Sequence, residues 1–280
     1  MRLVISIQSQ VVHGHVGNSA AVYPMQAEGV SVAAVPTALL SNHPHYPTVR
    51  GKILDAGLVA DLLRGVEERG LVQQAAILLT GYLGSPAIAE RVAEFAERAL
   101  RANPKLRYVC DPVMGDDDLG IFVAAGMPEI FRDRLVPLAA IITPNQFELE
   151  LLAKRPARDE LDLVEACGVI SAPGFPAVIA TGCTLSDTLE DVVDTVLCEA
   201  GELTRIATPR LPIRPCGTGD LLTGLFAAHL AKGVPIEPAL RRAVGQVYAI
   251  LKRTMVDRAD EMTIIGMNLK GACNDHNDCA

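Results

Sequence analysis

The 280-residue sequence predicts an α/β fold: a doubly wound, mostly parallel central sheet flanked by helices, with a few antiparallel strands late in the chain. Three observations carry this. Short apolar runs alternate with helical patterns over most of the length, which is the βαβ rhythm of a parallel sheet. Half the residues are hydrophobic, yet only 4% are aromatic and Trp is absent. The core must then come from Val, Ile, Leu and Ala, as in buried parallel strands. After about residue 160 the rhythm changes to strand-like runs joined by short turns.

In chain order, 3–6 reads as a strand, 18–28 as a helix and 30–35 as a strand. Helical periodicity covers 55–69, and 75–80 is a continuous apolar run that fits a buried strand. Residues 86–102 form an amphipathic pattern with Pro at its start. Two further buried strands are expected at 108–110 and 140–143. The runs 177–181, 192–198 and 203–207 make the antiparallel portion, and two long helices follow at 220–231 and 237–254. With no internal repeat and no linker, 1–270 reads as one domain. The polar, small-residue tail 271–280 is expected to be frayed.

The formal net charge is -8, the pI is about 5.3 and no dense basic patch occurs. That argues against nucleic acid or an anionic membrane surface as partner. An acidic chain that handles polyphosphate needs backbone donors and metal ions. The apolar N-terminal run is too short for a signal-peptide core, and no segment approaches transmembrane length. Seven Cys, irregularly spaced and without CxxC, suit reduced thiols in a cytoplasmic protein.

Polar segments follow the predicted strands: TGYLG, DPVMGDDD and TPNQFE. Ligands of open parallel sheets gather at those carboxyl ends. The segment CGTGDLLTGLFAAHLAKG places Gly217 and Gly219 before a helix, whose free N–H groups and dipole favour an anion. Asp220, where the turn enters the helix, could take a proton from an attacking hydroxyl. At a helix N-terminus its pKa is expected to be low, so that it orients the hydroxyl and takes the proton late. A plain Gly-rich turn capped by Asp220 explains the tetrapeptide equally well. Neither a Walker A loop nor a Rossmann fingerprint is present. Asp111 and Asp116 could reach a hydrated Mg²⁺, although 116–118 alone reads as a solvated acidic turn. Asn145 and Glu148 have capping-box spacing. His13 and His15 read as loop packing rather than metal ligands. Cys273, His276 and Cys279 lack a convincing fourth ligand.

Gly217-Thr218-Gly219-Asp220 resembles the GxGD signature of ribokinase-like kinases. CDPVMG, ITPNQFELELL and GTGD also stand in the order found in pyridoxal kinases. The stretch SIQSQVVHGHVGNSAA, continuing to Pro24-Met25-Gln26, is similar to the N-terminal signature of that group. The resemblance spans residues 3–254 and implies a ribokinase-like fold and a cytoplasmic homodimer. It implies ATP-dependent phosphorylation of the 5′-hydroxyl of pyridoxal and related B6 vitamers, giving pyridoxal 5′-phosphate and ADP in vitamin B6 salvage. ATP and Mg²⁺ are the implied cofactors, with a monovalent cation such as K⁺ as a further candidate. By the same resemblance Asp220 is the catalytic base, and Gly217, Thr218 and Gly219 form the anion hole. Ser9 grips the pyridine ring, with Tyr82 and His45 nearby. Asp111, Thr143, Glu148, Thr181 and Thr218 face the ATP phosphates, and Asp111, Asp116 and Glu148 serve the metal.

Two departures bear on the substrate end, and Thr181 distinguishes the nucleotide end from many bacterial members while matching the eukaryote-like ones. Pro44, in SNHPHY, replaces a Thr that commonly contacts substrate, and Pro offers neither hydroxyl nor N–H; His45 or water must serve that edge. Ile121 stands near a position where some bacterial members carry a reactive Cys, so covalent aldehyde capture is not expected. Thr181 takes the place of a Lys found in many bacterial members. Two other readings compete. Hydroxymethylpyrimidine kinases share the fold but often carry Cys after the GTG turn, where this chain has Asp220. A non-catalytic B6-vitamer binding protein would lack Asp220 or the metal carboxylates.

Overall fold

The computed structural model describes residues 2–170, 177–199 and 201–266. The tail 271–280, with Cys273, His276 and Cys279, lies outside the described residues. The strands are β1 (Leu3–Val11), β2 (Ser31–Leu40), β3 (Gly51–Ile53), β4 (Ala75–Thr80), β5 (Arg107–Cys110), β6 (Gly115–Asp116), β7 (Gly120–Ile121), β8 (Ile141–Ile142), β9 (Ala177–Cys183), β10 (Val192–Glu199) and β11 (Glu202–Pro209). The helices are α1 (Asn18–Ala27), α2 (Ala56–Glu68), the single turn α3 (Leu71–Gln74), α4 (Pro86–Ala102), the short α5 (Met127–Ile130), α6 (Gln146–Ala153), α7 (Glu160–Ile170), α8 (Thr218–Ala231) and α9 (Ile236–Asp257).

Nine strands form one sheet in the order β11-β10-β9-β8-β5-β4-β1-β2-β3. The run from β9 to β2 is parallel throughout. Antiparallel β3 closes one edge and antiparallel β10 and β11 close the other. The small β6–β7 hairpin stands outside this sheet. β1 has β2 on one side and β4 on the other, so the winding direction reverses beside β1. That reversal opens a crevice beyond the carboxyl ends of β1 and β4.

Both faces of the parallel strands are covered. Ile5, Ile7, Leu78, Tyr108, Ile142 and Val178 point into the core beneath α2, α4, α6 and α7. Val4, Ile77, Leu79, Val109, Ile141 and Ile179 point into the core beneath α1, α8 and α9. Helix starts follow local chemistry. Asp55 accepts the N–H groups of Gly57 and Leu58 ahead of α2, and Ser85 accepts that of Ile88 ahead of α4, where Pro86 fits the first turn.

The described elements differ from expectation at several places, including a longer β2 and the short β3, β6, β7, α3 and α5; two further differences have a clear physical reason. α7 occupies 160–170, where no helix was expected; it buries only Leu163, Ala166 and Cys167, too few for a clear stripe. β1 runs on to Val11 through buried polar residues that an apolar pattern excludes. These satisfy one another. Gln8 Nε2 donates to Ser6 Oγ at 3.0 Å, Ser6 Oγ donates to Asn18 Oδ1 at 2.8 Å, and Asn18 Nδ2 donates to the Gln8 carbonyl at 3.1 Å. Such a closed network costs little, because no buried donor is left open. It locks the end of β1 to the start of α1.

Candidate active site

β1 delivers Ser9 to the crevice, and the loop that follows returns through Gly17 to α1. Ser9 is 6% exposed, and among the described residues no hydrogen bond holds its hydroxyl. Gly17 has φ +54; a Cβ there would stand 2.5 Å from Ser9 Oγ, so only glycine permits this approach. The Gly17 N–H in turn faces the Asp220 carboxylate and favours its ionised form. Ser9 and Asp220 thus both approach Gly17, one from β1 and the other from α8.

Gly217 is the N-cap of α8 at φ +79. A Cβ on it would collide with the His15 carbonyl, which ties the anion turn to the loop after β1. The first intrahelical bond runs from Leu221 N to the Gly217 carbonyl at 2.9 Å. The N–H groups of Thr218, Gly219 and Asp220 precede it and point outward from the helix start. A Cβ on Gly219 would meet nothing within 4 Å, so there is room for an anion beside these donors. The Thr218 hydroxyl donates to the Pro215 carbonyl at 3.0 Å, which leaves its N–H as its free donor.

Asp220 lies in the first turn rather than at the N-cap, and its side chain makes no cap. The low pKa expected for it does not hold. Burial raises its carboxyl from 3.8 to about 6, against the Gly17 N–H that favours ionisation. Desolvation outweighs the helix dipole here, because the dipole contributes less than about 1 kcal/mol at most sites. A carboxylate near 6 is a better proton acceptor than the weak base the sequence suggested.

Two more carboxylates converge behind it. Asp111, 5% exposed, follows β5; burial, then Glu148, then Asp220 push its carboxyl well above the usual range. Glu148, 4% exposed, is raised to about 7 by burial, against the N–H groups of Met114, Asn145 and Gly115. The expected capping box is present: Asn145 Oδ1 accepts the Glu148 N–H at 2.8 Å, and Glu148 Oε2 accepts the Asn145 N–H at 2.9 Å. Glu148 Oε1 also accepts from Met114 N at 2.8 Å, which fixes the DPVMG turn onto α6. One carboxylate therefore shapes the fold and charges the site together. Thr143, at the end of β8, lies 3.3 Å from the Thr223 hydroxyl, which donates to Asp111 Oδ2 at 3.3 Å. Thr223 was missed from the sequence; its spacing of three from Asp220 on one helix face is the feature that could have found it.

The remaining predicted residues are more dispersed. Thr181, near the end of β9, donates its N–H to the Pro144 carbonyl at 2.9 Å, and this holds it beside the TPNQ segment. Asp116 Oδ1 accepts the N–H groups of Asp118 and Leu119, and so closes the β6–β7 turn; its charge is felt at Cys216. Tyr82 is half-buried after β4, and its carbonyl accepts from Thr37 Oγ1 at 2.7 Å. His45 Nδ1 lies 3.0 Å from Cys216 Sγ, just ahead of the anion turn. Burial, then Glu261, Asp220 and Asp116 push the Cys216 thiol up to about 11, so it is protonated at neutral pH. The other four described cysteines are buried free thiols.

Glu261 is a second residue missed from sequence. It accepts from Tyr46 Oη at 2.7 Å and from the His15 N–H at 3.1 Å, and its Oε1 lies 2.9 Å from His43 Nε2. Burial alone would raise its carboxyl, but Tyr46, His43 and the His15 N–H hold it below the usual range. It joins the end of the described chain to both substrate-end loops.

The three carboxylates and the neighbouring threonines offer only hard oxygen donors, which fits Mg²⁺. Burial first, with charge repulsion added to it, raises Asp111 and Glu148, and a divalent cation would oppose both effects.

The family model described as phosphomethylpyrimidine kinase matches residues 17–261. The chain belongs to this kinase family. Within it, the sequence is 40% identical over 263 residues to pyridoxal kinase PdxY of Rubrobacter xylanophilus, covering 94% of this chain and 91% of that one. It is 36% identical to a pyridoxal kinase of Arabidopsis thaliana, covering 91% and 82%. Pyridoxal kinase from Leishmania donovani, solved with ADP and pyridoxamine, superposes with a TM-score of 0.82 at 30% identity over 90% of each chain. The fold of that solved kinase therefore extends over most of this chain. Among the described residues no helix is long and apolar enough to cross a membrane.

Proposed function

We propose that the chain is an ATP-dependent pyridoxal kinase that transfers the terminal phosphoryl group to the 5′-hydroxyl of B6 vitamers. One observation carries the reading: the free hydroxyl of Ser9 and the carboxylate of Asp220 share Gly17, so a ring-binding donor stands one residue from a proton acceptor. The relatives named pyridoxal kinase, and the solved relative with ADP and a vitamer, support it. One kinase domain over 1–270 and a homodimeric assembly belong to the same reading.

In this mechanism Ser9 pairs with the pyridine ring, and Tyr82 and His45 bound the substrate end. Asp220 orients the 5′-hydroxyl and accepts its proton as the phosphoryl group departs. The N–H groups of Thr218, Gly219 and Asp220 hold the migrating group, whose loose transition state rewards positioning and charge neutralisation. Thr143 and Thr181 face the nucleotide phosphates. Asp111 and Glu148 would hold Mg²⁺, with Asp116 at the outer edge; the ion supplies neutralisation of phosphate charge. A monovalent cation such as K⁺ remains a candidate helper at the same end.

ADP release measured with pyridoxal, pyridoxine, pyridoxamine and hydroxymethylpyrimidine tests this. Turnover with the vitamers, and its loss in Asp220→Ala at unchanged fold, is expected. Turnover confined to hydroxymethylpyrimidine would move the chain to the other branch of its family, and vitamer binding without ADP release would make it a carrier.

A further inference from the structure

Beside the anion turn lies a cluster whose only share in this chemistry is His45, which bounds the substrate end. His43 and His45 lie in the loop after β2, and Cys216 immediately precedes Gly217. Cys216 Sγ is 3.0 Å from His45 Nδ1. One ring nitrogen of each histidine and the sulfur lie within 4.8 Å of one another. Three ligands around one tetrahedral zinc stand about 3.3–3.8 Å apart, so small side-chain rotations close the set.

His43 gives the independent indication. It is 8% exposed. Its Nε2 is committed to Glu261 Oε1 at 2.9 Å, while its Nδ1 is buried and has no hydrogen-bond partner. A carboxylate on one ring nitrogen fixes the tautomer and leaves a lone pair on the other, the arrangement found behind metal-ligating histidines. Imidazole and thiolate together favour a thiophilic ion and disfavour Mg²⁺. The oxygen donors at Asp111 and Glu148 have the opposite preference.

We infer that His43 Nδ1, His45 and Cys216 Sγ form a binding site for a divalent ion of the Zn²⁺ class, backed by Glu261, with a fourth position open to water or a ligand. On binding, the Cys216 S–H proton leaves to solvent as the S–metal bond forms. The contact between His45 and the sulfur gives way to two metal–ligand bonds. Occupancy staples the loop after β2 to the turn before Gly217 and shields the thiol.

The test uses the 280-residue chain carrying Cys273→Ser, His276→Ala and Cys279→Ser, so that these positions offer no Cys or His ligands. The metal-free protein is titrated with Co²⁺ and then Zn²⁺. One Co²⁺ per chain with a thiolate-to-cobalt charge-transfer band is expected, displaced by one equivalent of Zn²⁺. The band should vanish in Cys216→Ser. Zn²⁺ affinity should fall about 10–100-fold in Glu261→Gln and at least as far in His45→Ala. Bound Zn²⁺ should also protect Cys216 from iodoacetamide. His45 is exposed, so its variant keeps the test decisive if Glu261→Gln unfolds. No charge-transfer band, a band that survives Cys216→Ser, or unchanged affinity in His45→Ala overturns the site, whatever the kinase assay gives.

Discussion

Asp220 sits between two opposed local fields: the positive end of α8 favours its charge, and burial penalises it. Burial wins, and its pKa moves from 3.8 to about 6. A folded pKa above the unfolded one means that the folded chain binds more protons. Asp220 then costs stability as pH rises from about 4 to about 6, and the cost is complete above that. Asp220→Asn should lower turnover by about 10²–10⁴-fold. The same variant should be more stable than the parent by about 1–2 kcal/mol at pH 8, with the gain gone at pH 4. Thermal melts without metal at the two pH values, beside kinetics at pH 8, check both halves. The parent kcat/KM should fall as pH drops below about 6, as this carboxylate takes up its proton. Ser9 offers the complementary case. Loss of one hydrogen bond to the ring in Ser9→Ala should cost about 0.5–1.5 kcal/mol of vitamer binding. KM should rise for the vitamer but not for ATP in steady-state kinetics.

At the scale of elements, the turn before α8 depends on its glycine twice over: Gly217 needs a positive φ, and its missing Cβ makes room for the His15 carbonyl. Gly217→Ala should therefore abolish turnover and lower Tm, whereas Gly219→Ala, with open space at its Cβ, should lower activity while leaving Tm near the parent value. Paired melting curves and ADP-release rates separate the two. The parallel strands and α4 were legible in sequence because their burial patterns are regular and Ser85-Pro86 marks a start. The capping box before α6 was legible from spacing alone. Ser6, Gln8 and Asn18 hid the true length of β1, because polar residues buried in a closed network break the apolar pattern. Thr223 and Glu261 were hidden for another reason. Their hydrogen-bond partners lie far away in the sequence, and apart from the spacing of Thr223 from Asp220 nothing local to them marks a site.

For the whole molecule, Asp111, Glu148 and Asp220 are brought together by β5, α6 and α8; Asp220 raises the cost of ionising the other two, and Glu148 that of ionising Asp111. The ligand-free protein carries that repulsion as lost stability. Mg²⁺ with ADP should raise Tm, and by more at pH 8 than at pH 6, because Glu148 titrates near 7. Equal shifts at both pH values in a fluorescence melt would count against the carboxylates as the metal's seat.

The seating of Gly217 on the His15 carbonyl also sets the order in which the chain matures. Every strand of the parallel sheet leaves the ribosome before α8 does, yet the loop after β1 has no floor until that helix docks. A nascent chain can assemble its scaffold early and still be chemically silent. Competence arrives only after α8 has been made, when α8 and α9 fold back onto the first strand.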